Sequence, residues 1–124
     1  MESDICLDSD ILIDILKDSK ETINKIVSLK AIFSTTAINA FEIWAGRKTG
    51  KVTGKMLSSM NILEFNKKAA IITGDLRKKL RRRGCEIDTR DLFIAAICVS
   101  NNLPLLTNNK KHFEKLKDLG LTLV

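Results

Sequence analysis

Three carboxylates in this 124-residue chain are placed where they could act together on one cation: Asp8, Glu42 and Asp91. They come from separated segments, and each stands near the start of a predicted helix or the end of a predicted strand. Clustered carboxylates repel one another and cannot all stay ionised without a cation. Their oxygens select hard ions such as Mg²⁺ or Mn²⁺, which keep several waters and also accept a phosphate. The set therefore predicts metal-dependent phosphodiester hydrolysis, in which a bound ion activates water.

Each of these acids also has an ordinary structural explanation. Asp8, together with Asp10, could stabilise the dipole of the first helix. Glu42 could lay its stem along the core and extend its head group to solvent or to a lysine. Asp91 could complete an acidic capping box that begins at Asp88. These alternatives stay open, and the metal site is favoured because all three acids are expected at the same edge of a sheet.

The elements predicted around these acids alternate between strands and helices. Strands are predicted at residues 4–7, 31–34, 61–65, 103–107 and 121–124, and helices at about 11–16, 19–29, 37–47, 66–83, 88–99 and 110–117. Residues 48–55 are predicted to be a basic loop or a frayed turn. This alternation predicts an α/β fold with a mostly parallel sheet between two layers of helices. Ligands of such folds bind beyond the carboxyl ends of the strands, where Asp8, Thr36 and Thr107 are expected.

Helix ends and buried faces follow from residue types. The predicted N-caps are Ser9, Thr36 and Asn66. The helix at 37–47 is expected to bury Ile38, Phe41 and Ala45, which places Glu42 at the border of the buried face. The helix at 88–99 is apolar nearly all round, so it must be covered on several sides.

Length and composition indicate one globular domain over residues 1–124. No apolar run approaches the roughly 18 to 20 residues that span a bilayer, and the N-terminus has no basic-then-apolar leader. We therefore expect no membrane association and a cytoplasmic protein. The three cysteines form no C-x-x-C pair and are expected to be small structural thiols.

The net charge of +6 is concentrated late in the chain. Residues 67–83 hold eight basic side chains and one acid, and most of these bases should face outward from a helix. A basic surface attracts phosphate backbones whatever the base sequence. Nucleic acid is therefore the expected partner, with Arg77, Arg81, Lys110 and Lys111 as candidate RNA contacts.

Four segments of the chain together resemble a known family. They are ICLDSDILID at residues 5–14, AFEIWAG at 40–46, RDLFIAA at 90–96, and LLTNN at 105–109 followed by Phe113. In order and spacing they resemble the PIN-domain ribonucleases, and specifically the VapC toxins of toxin–antitoxin pairs. The likeness spans nearly the whole chain, and residues 91–113 are its most specific part.

This resemblance implies a PIN-like fold and a metal-dependent endoribonuclease. It implies that Asp8, Glu42 and Asp91 bind Mg²⁺ or Mn²⁺ and that Thr107 is a polar residue of the site, with Thr36 assisting from the second strand. It also implies an RNA substrate, a homodimer, and an antitoxin of the VapB type whose C-terminal segment blocks the active site.

The chain departs from the family pattern at two positions. Asn109 stands where the family often has a fourth acid, and an amide can ligate or hydrogen-bond but brings no charge. Asp10 stands where a neutral residue is commoner. We expect the loss of charge at Asn109 to weaken a second metal site, and Asp10 to compensate for part of it.

Other functions fit these residues less well than a nuclease does. A PIN-like module that binds RNA or antitoxin without cleaving is conceivable because of Asn109. Asp8 and Asp10 also fit the D-x-D of haloacid-dehalogenase phosphotransferases, but the residues that follow do not match. The glycines at 46–55 have the wrong spacing for a P-loop. His112, the only histidine, has no ligand pattern around it and is expected to be a surface or packing residue.

Overall fold

The computed structural model describes residues 4–46 and 50–124. Four strands form its sheet: β1 (Asp4–Leu7), β2 (Ile32–Thr36), β3 (Asn61–Leu63) and β4 (Leu105–Leu106). The helices are α1 (Ser9–Leu16), α2 (Lys20–Leu29), α3 (Ala37–Gly46), α4 (Lys51–Ser58), α5 (Lys67–Arg82), α6 (Thr89–Ser100) and α7 (Lys110–Phe113), and a 3₁₀ segment follows at Glu114–Leu119. Among the described residues, no helix is both long and apolar enough to cross a bilayer.

The sheet is entirely parallel, with strand order β3-β2-β1-β4. Consecutive side chains of a strand point to opposite faces, and the two faces carry separate hydrophobic clusters. Cys6 and Leu105 belong to the cluster formed with α5 and α6, whereas Leu7 and Leu106 belong to the cluster formed with α1. Helices therefore cover both faces, and the predicted α/β architecture is confirmed.

The most buried helix is α6, as its apolar sequence predicts. Its residues Leu92 and 94–98 are all fully buried, and α6 packs against α5. Asn66 caps α5 as expected, because its Oδ1 accepts a hydrogen bond of 3.0 Å from the Ala69 N–H. Gly84, with φ of +68°, follows the C-terminus of α5 in the left-handed conformation that favours glycine.

Two sequence predictions about helices are wrong. Residues 51–55 belong to the helix α4 and not to a basic loop, while residues 47–49 lie outside the described part of the chain. Met56 of α4 packs against the α1 cluster, and this tertiary contact offsets the roughly 1 kcal/mol by which Gly54 disfavours a helix. Phe41 is not buried either: it is 69% exposed, and the buried residues of α3 are Asn39 and Ile43.

Several predicted boundaries also change. The first helix begins at Ser9, with Asp8 instead of Ser9 as its N-cap. In the C-terminal region, β4 contains only two residues of the predicted strand at 103–107, where Pro104 has no N–H to donate. The predicted strand at 121–124 reduces to one bridge between Leu123 and Leu105. The predicted helix at 110–117 divides into α7 and the 3₁₀ segment.

The burial of α6 leads to a stability prediction. Leu92→Ala should lower the free energy of unfolding by about 2 to 5 kcal/mol, because Leu92 is fully buried and its loss leaves a cavity. Val27→Ala is the control: Val27 is 70% exposed, so its truncation should change stability by less than about 0.5 kcal/mol. Urea unfolding of both variants measures the difference, and equal effects would contradict this description of the core.

Candidate metal and catalytic site

The candidate site lies at the carboxyl edge of the sheet. Asp8 directly follows β1, Thr36 is the last residue of β2, and Thr107 directly follows β4. The three side chains are 1%, 0% and 2% exposed, so the edge carries polar groups that are cut off from bulk water. Buried polar groups need partners, and the structure supplies them locally.

Asp8 is held on several sides by hydrogen bonds. Its Oδ1 accepts from the Ser9 N–H at 2.8 Å and from Asn39 Nδ2 at 2.9 Å. Its Oδ2 accepts from Thr107 Oγ1 at 2.8 Å. Asp8 therefore caps α1, as its structural explanation requires, and at the same time presents a fixed carboxylate to the other acids.

Glu42 and Asp91 come to the same place from two different helices. Glu42 Oε1 accepts a hydrogen bond of 2.7 Å from Ser9 Oγ, which joins α3 to the start of α1. Asp91 lies in the first turn of α6, and its side chain is only 6% exposed. The proposed capping box is wrong, because the Asp88 side chain makes no capping hydrogen bond. The structure thus brings Asp8, Glu42 and Asp91 together.

The guanidinium of Arg90 lies among these three carboxylates. Nε donates to Glu42 Oε2 at 2.8 Å, and Nη1 donates to Asp91 Oδ1 at 2.7 Å. Nη2 donates to both Asp8 Oδ1 and Glu42 Oε1 at 2.9 Å. Burial alone would lower the pKa of Arg90, but the surrounding carboxylates outweigh it and raise the pKa above its ordinary value. Arg90 therefore stays charged, and in this conformation its positive charge lies among the three carboxylates.

The same contacts act on the titration of Glu42. Partial burial would raise the pKa of Glu42, but the hydrogen bonds from Arg90 and Ser9 outweigh it and hold that pKa below its ordinary value. Glu42 is thus anionic in the neutral range.

Asp10 lies beside the three acids but does not contact Arg90. Its Oδ2 accepts a hydrogen bond of 2.9 Å from the Asn108 N–H, while its Oδ1 is buried and has no hydrogen-bond partner among the described residues. Burial, followed by the nearby charge of Asp8, raises the pKa of Asp10. Asn109 is exposed, and its backbone N–H donates to Thr107 Oγ1 at 3.0 Å. Compensation by Asp10 for Asn109 at a metal stays a prediction.

Thr36 reaches Asp8 only through another residue, Asn39. Thr36 Oγ1 donates to Asn39 Oδ1 at 2.7 Å and accepts from the Asn39 N–H at 3.2 Å, as expected of an N-cap. Asn39 is fully buried and also donates to Ser9 Oγ at 2.8 Å. Thr36 therefore orients Asn39, and Asn39 orients Asp8.

The sequence analysis did not identify three residues of this site, which are Asn39, Arg90 and Ser9. The role of Ser9 is to donate a hydrogen bond to Glu42. Asn39 carried a usable signal, since it is an amide among the apolar side chains of α3 and such a residue needs a buried partner. Arg90 offered a weaker signal: the helix dipole disfavours a cation in the first turn of α6, so an arginine there indicates acidic neighbours.

Basic side chains border the acids on one side. Lys110 and Lys111 are exposed and line an open cleft with residues 107–109, and His112 borders it too. His112 is exposed as expected, but its Nδ1 lies 3.6 Å from Asp91 Oδ2. On α5, Arg77 donates to Thr89 Oγ1 at 2.6 Å, at the start of α6, whereas Arg81 is exposed.

The donor set fits a divalent cation in kind. Asp8, Glu42 and Asp91 supply only oxygens, and the described conformation already places a cation among them, the Arg90 guanidinium. Within residues 4–46 and 50–124, no group of three or more acidic, histidine or cysteine side chains is arranged to hold an ion as it stands. An ion bound to these oxygens would thus require the Arg90 guanidinium to move away from them.

The chain is similar to known proteins over most of its length. The family model of the PIN domain matches residues 5–119. Ribonuclease VapC1 of Methanocaldococcus jannaschii is 33% identical over 120 residues, which cover 97% of this chain and 86% of that protein. The tRNA(fMet)-specific endonuclease VapC of Salmonella typhimurium is 31% identical over 106 residues, covering 86% of this chain and 76% of that protein.

A solved structure is also similar over the full fold. The crystal structure of VapBC2 from Rickettsia felis, bound to a DNA fragment from its promoter, contains a chain that superposes with a TM-score of 0.81 and 26% identity. The match covers 98% of this chain and 97% of that one. The order of strands and helices that builds the acidic site is thus shared with a chain of known structure.

The role of Asn39 leads to a second prediction. Asn39→Ala should lower the free energy of unfolding in chelator by about 1.5 to 3 kcal/mol, because the buried Asp8 carboxylate loses a donor. Asn61→Ala, at an exposed position of β3, is the matched control and should have little effect. Thermal and urea unfolding measure both variants. A loss for Asn39→Ala no larger than that of the control would show that Asn39 does not support Asp8.

Proposed function

The chain belongs to the PIN domain family, and we propose that it is a Mg²⁺- or Mn²⁺-dependent endoribonuclease of the VapC type, the toxin of a type II toxin–antitoxin pair. The observation that carries the proposal is the convergence of Asp8, Glu42 and Asp91 on one cation position at the carboxyl edge of a parallel sheet. The names of the similar proteins, ribonuclease VapC1 and an endonuclease specific for tRNA(fMet), support RNA as the substrate.

Asp8, Glu42 and Asp91 would hold the ion, which when bound lowers the pKa of a water and neutralises charge on the scissile phosphate. The protein contributes fixed ligand positions. Asp8 is oriented by Ser9, Asn39 and Thr107, so little reorganisation of this carboxylate is needed. Glu42 is the most exposed of the three acids and faces the open side of the site.

Substrate binding is assigned to the basic border of the site. Lys110 and Lys111 line the cleft at residues 107–112, and Lys111 also lines a second cleft with Asp91, so these cations would attract the phosphates of a polynucleotide. Arg77 and Arg81 add positive charge on α5, and Arg77 contacts Thr89 at the start of α6, the helix that carries Asp91. Such contacts position the backbone and carry no base specificity, so the choice of RNA must come from shape or from base contacts.

An antitoxin and a homodimer belong to the same proposal. The similar solved structure is of a VapBC pair bound to promoter DNA, which supports a partner of the VapB type here. Several large apolar side chains are left exposed on this chain, where they are available for contacts with a partner. They include Phe41 at 69%, Trp44 at 50% and Val52 at 69%. We also propose that the protein acts in the cytoplasm, where its proposed RNA substrate and antitoxin would be present.

The nuclease proposal is tested with labelled RNAs. Purified protein is incubated with single-stranded RNAs, hairpins and initiator tRNA, with Mg²⁺ or Mn²⁺ and with chelator. Cleavage should require the ion, and Asp8→Asn should reduce its rate beyond the roughly 10- to 100-fold that loss of an outer-shell partner typically costs. Asp75→Asn, which removes an exposed acid of α5, is the matched control and should cleave normally.

Two outcomes would contradict the proposal. Cleavage that persists in chelator or in Asp8→Asn would show that the acids do not hold the ion or that a contaminant is active. RNA binding without cleavage under every condition would instead favour the inactive PIN-like binding module, which the neutral Asn109 makes conceivable.

A further inference from the structure

We propose that Arg90 is a displaceable counterion of the site: it occupies the cation position in the free protein and competes with the divalent ion for Asp8, Glu42 and Asp91. The inference rests on the proposed function, because it concerns the same metal site. It assigns to Arg90 a regulatory role, setting the ion concentration at which the site loads.

The contacts of Arg90 make this competition direct. All three guanidinium nitrogens donate to carboxylate oxygens, and both oxygens of Glu42 are used. An octahedral ion such as Mg²⁺ binds oxygens at about 2.0 to 2.1 Å and demands near-ideal geometry. The guanidinium nitrogens lie 2.7 to 2.9 Å from these oxygens as hydrogen-bond donors. An ion bound to the same oxygens would therefore displace the guanidinium.

Charge acts in the same direction as geometry. Three carboxylates with one guanidinium carry a formal charge of −2 instead of −3, so the site attracts a dication less strongly while Arg90 is present. Each contact is also a charge-assisted hydrogen bond, among the stronger kinds in proteins, and must be broken when the ion enters. Arg90 therefore lowers the affinity for the ion by both effects.

Arg90 is also placed so that it can leave. Its side chain is 32% exposed, whereas those of Asp8 and Asp91 are 1% and 6% exposed, so it reaches the acids from the solvent side. Among the described residues, the hydrogen-bond partners of its side chain are Asp8, Glu42 and Asp91 and no others. Once an ion binds these carboxylates, the Arg90 guanidinium has no other hydrogen-bond partner among the described residues.

The arrangement explains how the free protein tolerates its own site. Without a cation, closely spaced carboxylates would repel one another and favour protonation or unfolding. Arg90 supplies the compensating charge from within the chain, so folding does not depend on bound metal. The same residue thus stabilises the metal-free state and opposes metal binding, which gives two effects of opposite sign to measure.

The experiment is a Mn²⁺ titration followed by electron paramagnetic resonance, which counts free ions and needs no catalytic activity. Arg90→Gln removes the charge and keeps a side chain of similar kind. It should bind Mn²⁺ about 10-fold or more tightly than the unaltered protein, since several charge-assisted bonds no longer have to be broken. Arg83→Gln is the control: Arg83 forms an exposed ion pair of 2.9 Å with Asp118, and its loss should leave Mn²⁺ affinity unchanged.

Thermal unfolding of the same proteins supplies the second readout. In chelator, Arg90→Gln should melt at a lower temperature than the unaltered protein. Saturating Mn²⁺ should raise the melting temperature of Arg90→Gln by more than it raises that of the unaltered protein. Should Arg90→Gln not fold without the ion, Arg90→Lys replaces it in both measurements. Lysine keeps the charge but cannot span three carboxylates, so its Mn²⁺ affinity should be intermediate.

The outcomes separate this inference from the proposed function. Equal or weaker Mn²⁺ binding by the Arg90 variant, with normal binding by the unaltered protein, overturns the role of Arg90 and leaves the nuclease proposal standing. Absence of Mn²⁺ binding in every variant overturns both. Adding Asp8→Asn to Arg90→Gln should abolish the tight binding, and its persistence would show that the ion binds elsewhere, which also overturns both.

Discussion

Electrostatic repulsion among three acids is the constraint on which the structure of this site depends. Asp8, Glu42 and Asp91 are brought together in a partly buried place, where like charges cost far more than on the surface. Such a cluster persists only with a cation inside it. In the free protein that cation is the guanidinium of Arg90, and the proposed chemistry requires that a metal ion replace it.

The parallel sheet explains why these acids meet. Every strand ends at the same edge, so Asp8 after β1 and Thr107 after β4 become neighbours although 99 residues separate them along the chain. The two hydrophobic clusters fix this edge from opposite faces, and α6 brings both Arg90 and Asp91 to it. The position of the acids therefore depends on the core that holds these strands and helices in place.

The sequence was sufficient to predict the alternation of strands and helices, the buried α6 and the meeting of the acids, because each follows from local patterns and from the geometry of parallel sheets. It was insufficient where tertiary contacts decide. Residues 51–55, predicted to be a loop, are helical because Met56 packs against the α1 cluster. Phe41 is exposed because α3 buries Asn39 and Ile43 instead. Arg90 was missed because its partners, Asp8 and Glu42, are 82 and 48 residues away.

A crystal structure determined with Mn²⁺, in which anomalous scattering locates the ion, tests most directly whether metal replaces Arg90 in the site. We expect one strong anomalous peak bounded by Asp8, Glu42 and Asp91, with the Arg90 guanidinium withdrawn from all three carboxylates. An anomalous map with no peak there, or a peak beside an Arg90 that keeps its contacts of 2.7 to 2.9 Å, would contradict this expectation.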